Sequence, residues 1–165
     1  MRLFALYFLC GLLLTSPVQA GDWQVGMARV DITPTEPLRL SGYSNRVQSH
    51  TSVADPLHVR VVCLTHTEKE PSAESAKPLV LVSIDSIAVN NSMTSKIVEA
   101  LKVSHAIPRS HLVLSSTHSH TAPHLPASID NLFRETSSAE QVEASERYLN
   151  RVIAAILEAV EKALS

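Results

Sequence analysis

The chain has 165 residues and a formal net charge of −2, with 14 Lys and Arg against 16 Asp and Glu interspersed along it. That balance leaves no basic stripe and excludes nucleic acid as a partner class. The length suits one domain of about 100–150 residues, large enough to bury about two-thirds of its unfolded surface without staples.

The first twenty residues read as a signal peptide. Met1-Arg2 is the charged start, Leu3 to Leu14 the apolar stretch, and Val18-Gln19-Ala20 the small-residue cleavage site. A membrane span needs about 20 apolar residues, and Thr15, Ser16 and Pro17 interrupt the run before that. The expected location is therefore secreted or periplasmic. Cleavage removes Cys10 and leaves Cys63 with no disulfide partner. Cys63 sits in the largely apolar run Val59 to Leu64, which predicts a buried, inert thiol.

Trp23 to Ile32 alternates and predicts a strand, ended by Thr33-Pro34 because proline removes a ladder donor. Leu38 to Asn45 contains the turn-prone Ser41-Gly42-Tyr43. After Asp55-Pro56 a second strand runs from Leu57 to Thr65. Polar Thr67 to Lys77 predicts a surface hairpin loop. Leu79 to Ile84 is nearly all apolar and reads as a strand buried on both faces. Asn91 or Ser92 then caps a helix through Met93, Ile97, Val98 and Leu101, and Ile107-Pro108 breaks it. His111 to Ser116 is the next strand. Strand, helix and strand in this spacing predict a βαβ unit with parallel strands and a right-handed crossover.

Pro123 to Thr136 reads as an irregular loop. Ser137-Ser138-Ala139-Glu140 resembles a capping box at the head of a long final helix. Its apolar stripe is Val142, Leu149, Val152, Ile153, Ile156, Val160 and Leu164. The sequence stops inside this helix, so the chain is expected to be part of something larger. The expected fold class is α/β, a mixed sheet with a βαβ unit and a long C-terminal helix.

Five of the eight histidines fall between Ser104 and His124. Within that window, Thr117-His118-Ser119-His120-Thr121-Ala122-Pro123 follows a predicted strand directly. Ligands of open α/β sheets bind beyond the carboxyl ends of the strands. Two imidazoles one residue apart at such an edge suit a borderline cation such as zinc, and equally suit a polar surface loop. Asp85 ends the neighbouring parallel strand. It reads either as a carboxylate beside the two histidines or as a helix cap or turn former. His124 reads as a loop residue, and His50, His58, His66, His105 and His111 carry no site signal. Asn90-Asn91-Ser92 is a glycosylation triplet.

Four segments in order carry a resemblance: Val25 to Pro34, Leu40-Ser41-Gly42-Tyr43, Leu79 to Asp85 and Thr117 to Pro123. Together they resemble the neutral/alkaline non-lysosomal ceramidase family. The last is similar to that family's Thr-His-Thr-His-Ser-Gly-Pro signature, with Ala122 where the family has glycine. The resemblance implies an exported zinc hydrolase that cleaves the amide of ceramide, or a related N-acyl lipid, to sphingosine and a fatty acid. It implies His118 as a metal ligand and His120 as a catalytic residue in a supporting or substrate-facing role. It further implies a lipid or other amide substrate, contact with a membrane surface, and further ligands (a histidine, a glutamate and a tyrosine) later in a longer chain. Residues 21–165 would be the N-terminal portion of that catalytic domain. Two other readings stay open on the residues alone: a non-catalytic secreted α/β module binding metal or lipid, and a metallohydrolase acting on phosphoesters or peptides.

Overall fold

The structure, a computed structural model, describes residues 22–67, 77–126 and 137–165. Residues 1–21, with the stretch expected to be a signal peptide, most of the loop between the second and third strands, and residues 127–136 lie outside them. The described elements are β1 (Asp22–Asp31), β2 (His58–Thr67), β3 (Leu79–Ile84), α1 (Asn91–His105), β4 (Leu112–Ser116) and α2 (Ala139–Leu164). The four strands form one sheet in the order β1-β2-β3-β4. β1 to β2 and β2 to β3 pair antiparallel, and β3 to β4 pair parallel. The mixed sheet, the βαβ unit and the long final helix are thus all present.

One face of the sheet makes the core. The register aligns Val30, Val59 and Ile84, then Ala28, Val61, Val82 and Leu114, then Cys63, Val80 and Leu112. Met93, Ile97 and Leu101 of α1 join the same cluster, as do Val152, Ile156 and Val160 of α2. α2 packs on β1, β2 and α1. Cys63 is buried, and that burial pushes its thiol above the usual range.

The other face is largely open among the described residues. Trp23 is 60%, Val25 57% and Met27 74% exposed. This changes the reading of β3. Val80, Val82 and Ile84 are buried, but Leu79, Leu81 and Ser83 on the opposite face are only partly covered. An apolar run marks a strand without saying which face is covered, and here both described helices share the core of one face.

Both helix starts sit away from the expected residues. α1 is capped by Asn90, whose Oδ1 accepts from the Met93 amide at 2.7 Å. Its Nδ2 donates to the Pro126 carbonyl at 2.8 Å, so the first residue of the Asn90-Asn91-Ser92 triplet is committed to the fold. α2 has a true capping box one residue later than expected, formed by Ser138 and Gln141. Ser137 is taken instead by Arg39, whose Nη1 donates to its hydroxyl at 3.1 Å.

The stripe of α2 also needs correction. Val142 is 41% exposed, while Ala144, Ala155, Ala159 and Ala163 are buried. Small side chains let the helix lie close on β1. Gly26 is where the approach is closest, because a Cβ there would collide with the Ala163 carbonyl. Gly26→Ala is therefore expected to lower stability by about 1–3 kcal/mol, the range for overpacking a tight contact. Chemical denaturation measures it, and an unchanged midpoint would show that α2 does not press on β1 there.

Candidate metal centre

β1 closes on the segment Asp31-Ile32-Thr33-Pro34. The Thr33 amide donates to Asp31 Oδ1 at 2.6 Å, and the Thr33 hydroxyl accepts from the Leu57 amide at 2.9 Å. Hydrogen bonds from the Thr33 side chain and then from its amide hold the Asp31 carboxyl below its usual range. The chain then turns toward the carboxyl edge of β3 and β4. Leu40 bridges Pro123, the Ser41 amide donates to the Ala122 carbonyl at 2.8 Å, and the His124 amide donates to the Arg39 carbonyl at 2.9 Å. The Ser41 hydroxyl adds a bond to the Pro123 carbonyl at 3.2 Å. Two motifs about eighty residues apart in sequence are thereby stitched together.

His118 stands at that edge with φ 57°, in the left-handed region. A non-glycine residue there costs about 1–2 kcal/mol, so its neighbours must hold it. The Thr117 amide donates to the Ile84 carbonyl at 3.0 Å and the Ser119 amide to the Ser86 carbonyl at 3.0 Å. What the strained backbone produces is a fixed ring. His118 Nδ1 lies 2.8 Å from the Ile87 carbonyl. A carbonyl only accepts, so Nδ1 carries the proton and Nε2 keeps a lone pair. A backbone carbonyl holding the far nitrogen is the usual outer partner of a metal-binding imidazole.

His120 brings its own Nε2 to 3.4 Å from that lone pair. The rings meet edge to face, with centroids 5.0 Å apart. The separation is long for a hydrogen bond. It matches the spacing of about 3.3–3.4 Å between two nitrogens that each lie about 2.0–2.1 Å from a tetrahedral zinc. The donor set therefore fits a borderline divalent cation. Among the described residues no group of three or more His, Cys, Asp or Glu gathers at one point, so the pair provides two donors and not a closed set.

His120 is cradled by the Ser41-Gly42-Tyr43 loop. Gly42 has φ 94°, and a Cβ on it would collide with the His120 ring. The Tyr43 ring packs against the imidazole at 5.1 Å. Arg46 Nη1 donates to the His120 carbonyl at 2.8 Å, and its guanidinium lies over the Tyr43 ring at 5.1 Å. Arg46 itself is tied down, since its carbonyl accepts from Arg39 Nε at 2.8 Å. Arg39 is 1% exposed, and burial lowers its pKa. His120 Nδ1 is buried against this cradle and has no hydrogen-bond partner among the described residues. The two rings thus differ: one has its tautomer fixed by a carbonyl, the other does not.

Asp85 is not part of the pair. Its Oδ2 accepts from the His58 amide and from Arg60 Nη1, both at 2.9 Å, which turns the carboxylate toward β2. It is neither a helix cap nor a turn former: its carboxylate ties the end of β3 to the start of β2. His124 is buried in the strap that joins Arg39 to Pro123. His50 Nδ1 bonds to the Leu38 backbone, and His66 stacks on Trp23. Sequence reasoning missed Arg46 and the Ile87 carbonyl. Gly42 was a visible signal, but as a turn rather than as a seat for an imidazole.

The left-handed backbone gives a direct check. His118→Gly and His118→Ala both remove the imidazole, yet only alanine keeps the steric penalty. The glycine variant is expected to be more stable by about 1 kcal/mol. Equal unfolding midpoints would show that position 118 relaxes to negative φ.

The chain was also compared with known proteins. A sequence model described as neutral/alkaline non-lysosomal ceramidase, N-terminal, matches residues 23–165. The fold is similar to a neutral ceramidase from Pseudomonas aeruginosa, at TM-score 0.66 and 20% identity over 88% of this chain. It is also similar to a ceramidase complexed with C2, at TM-score 0.65 and 19% identity over 88% of this chain. The chain spans 22% and 21% of the length of those two structures. No curated protein matches it in sequence. With the family's sequence pattern covering almost all of the described residues, the chain belongs to the neutral/alkaline non-lysosomal ceramidase family.

Proposed function

We propose that this chain is the N-terminal portion of an exported, zinc-dependent hydrolase that cleaves the amide of ceramide or a related N-acyl lipid. The observation that carries the proposal is the pair of Nε2 atoms 3.4 Å apart, one of them on a ring whose tautomer is fixed by Ile87. Family membership supports the amide chemistry and the lipid substrate.

In this reading His118 holds the metal, because its lone pair is already aimed outward. When bound, the cation supplies Lewis-acid polarisation of the acyl carbonyl and makes water a nucleophile near neutral pH. His120 works on the substrate side. With His118 on the metal and its own Nε2 not ligating, His120 presents an Nε2–H to the same spot, where it donates to the negative charge that develops on the acyl oxygen. Its other nitrogen is buried without a partner among the described residues, so the proton of the neutral ring belongs on Nε2. Gly42, Tyr43 and Arg46 orient that ring. The signal-peptide reading supports a location outside the cytoplasm, and a lipid substrate would bring the protein to a membrane surface.

A second reading has one observation in its favour. The described residues gather two metal-binding nitrogens and not three, which suits a secreted module that binds metal or lipid without turnover.

Turnover of a fluorescent N-acylsphingosine by the zinc-loaded protein, produced from its whole gene, separates the two. The hydrolase reading predicts loss of at least 1,000-fold in His118→Ala, and of about 100-fold in His120→Gln, the scale for losing one donor to a developing oxyanion. Chelation of the metal should abolish turnover. Zinc binding without turnover in the wild-type protein would favour the module. Wild-type turnover in His118→Ala would rule out the proposed site.

A further inference from the structure

Arg60 holds Asp85 at 2.9 Å and Arg147 holds Glu36 at 2.8 Å. Arg46, beside the histidine pair, holds no carboxylate among the described residues. It is half-buried. Its Nη1 donates to the His120 carbonyl at 2.8 Å, while its Nε and Nη2 donate to no described group. The side chain is nevertheless held in place. Its guanidinium lies over the Tyr43 ring at 5.1 Å. Its amide donates to the Tyr43 carbonyl at 3.1 Å, and its carbonyl accepts from Arg39 Nε at 2.8 Å. A half-buried guanidinium has lost part of its hydration, and an anion that replaces the lost water stabilises it. Tyr43 is 52% exposed, so an anion reaches the stacked pair from solvent.

We infer that Arg46 binds a carboxylate of the substrate, so that the amides preferred at this site are N-acyl amino acids rather than neutral N-acyl lipids. The inference rests on the hydrolase reading above for its role in turnover, but binding of the anion needs no metal. With Nη1 tied to His120, the Nε–Nη2 edge of the guanidinium remains. That edge matches the two oxygens of one carboxylate. The same guanidinium grips the residue whose ring addresses the acyl oxygen, so its charge lies one residue's breadth from the reacting bond. In an N-acyl amino acid a single carbon separates the carboxylate from the amide nitrogen, and the short span suits that placement. A hydroxyl in the same place would leave the guanidinium without a counter-ion. The fork is also fixed before the substrate arrives, by Tyr43 and by the two backbone bonds, so little rotamer freedom is lost on binding.

The test uses the metal-free protein, produced from its whole gene, and compares N-hexanoylglycine with its neutral counterpart N-hexanoylethanolamine. The Nε–H resonance of Arg46 is followed by NMR. The acid is expected to shift it saturably and to bind about ten- to a hundredfold more tightly than the alcohol, the range for a hydrogen bond to a charged group. Arg46→Gln should abolish that preference. Arg46→Lys, which keeps the charge and loses the fork, should retain only part of it. In the zinc-loaded protein, Arg46→Gln should lower the ratio of kcat/KM for acid over alcohol at least tenfold, mainly through the KM of the acid. Turnover of the alcohol should also fall, because the seat of His120 is loosened, but by less. Equal affinity of the wild-type protein for acid and alcohol would overturn the inference, and that result needs no variant to fold. So would an Arg46 Nε–H that ignores the acid, or a substrate ratio unchanged in Arg46→Gln. Tighter binding of N-hexanoylphosphoethanolamine than of N-hexanoylglycine would overturn the assignment of a carboxylate. Binding of the acid at Arg46 with no zinc at His118 would leave the anion site standing and remove the hydrolase reading instead.

Discussion

One hydrogen bond sets the character of this fold's working edge: His118 Nδ1 to the Ile87 carbonyl, at 2.8 Å. It decides which nitrogen holds the proton, and so which nitrogen faces outward with a lone pair. To make it, the backbone at His118 takes a left-handed conformation that an ordinary residue avoids. The parallel strands on either side make that possible. β3 ends at Ile84 and β4 at Ser116, side by side. Carbonyls from Ile84 and Ser86 receive the amides that flank His118. Strain at a sheet edge is maintained only where the surroundings over-determine it, and here three carbonyls of one segment, those of Ile84, Ser86 and Ile87, do so.

The second imidazole depends on a different part of the chain. Leu38 to Arg46 folds over the edge and presents a glycine, a tyrosine ring and a guanidinium to His120. The buried Arg39 locks that loop from beneath, reaching the carbonyls of Ser44 and Arg46 and the hydroxyl of Ser137. The start of α2 and the seat of His120 are therefore coupled through one side chain. The long helix contributes to the site without offering a residue to it, by fixing the loop that orients the ring.

Much of this was legible in the sequence. Leu79 to Ile84, the three-and-four spacing of Met93, Ile97 and Leu101, and the break at Ile107-Pro108 are local patterns with local causes, and the βαβ unit followed from them. The failures came where one short pattern had two equal registers. Ser137-Ser138-Ala139-Glu140-Gln141 fits a capping box from either serine, and only the distant Arg39 chooses between them. Asn90, Asn91 and Ser92 are all good caps, and the Pro126 carbonyl selects Asn90. Asp85 has the right position for a ligand, yet Arg60 and the His58 amide claim it. The motif placed His118 and His120 at the edge, but nothing in a linear pattern shows that a carbonyl waits at Ile87. The alanines of α2 were passed over because a search for large apolar residues does not see close approach.

The central claim is about one proton and one lone pair. Long-range 15N–1H NMR of the histidine side chains in the metal-free protein reads both. The account predicts that His118 is protonated on Nδ1, and that adding zinc shifts its Nε2 resonance while Nδ1 stays protonated. A His118 ring protonated on Nε2, or a Nε2 resonance that does not respond to zinc, would contradict it.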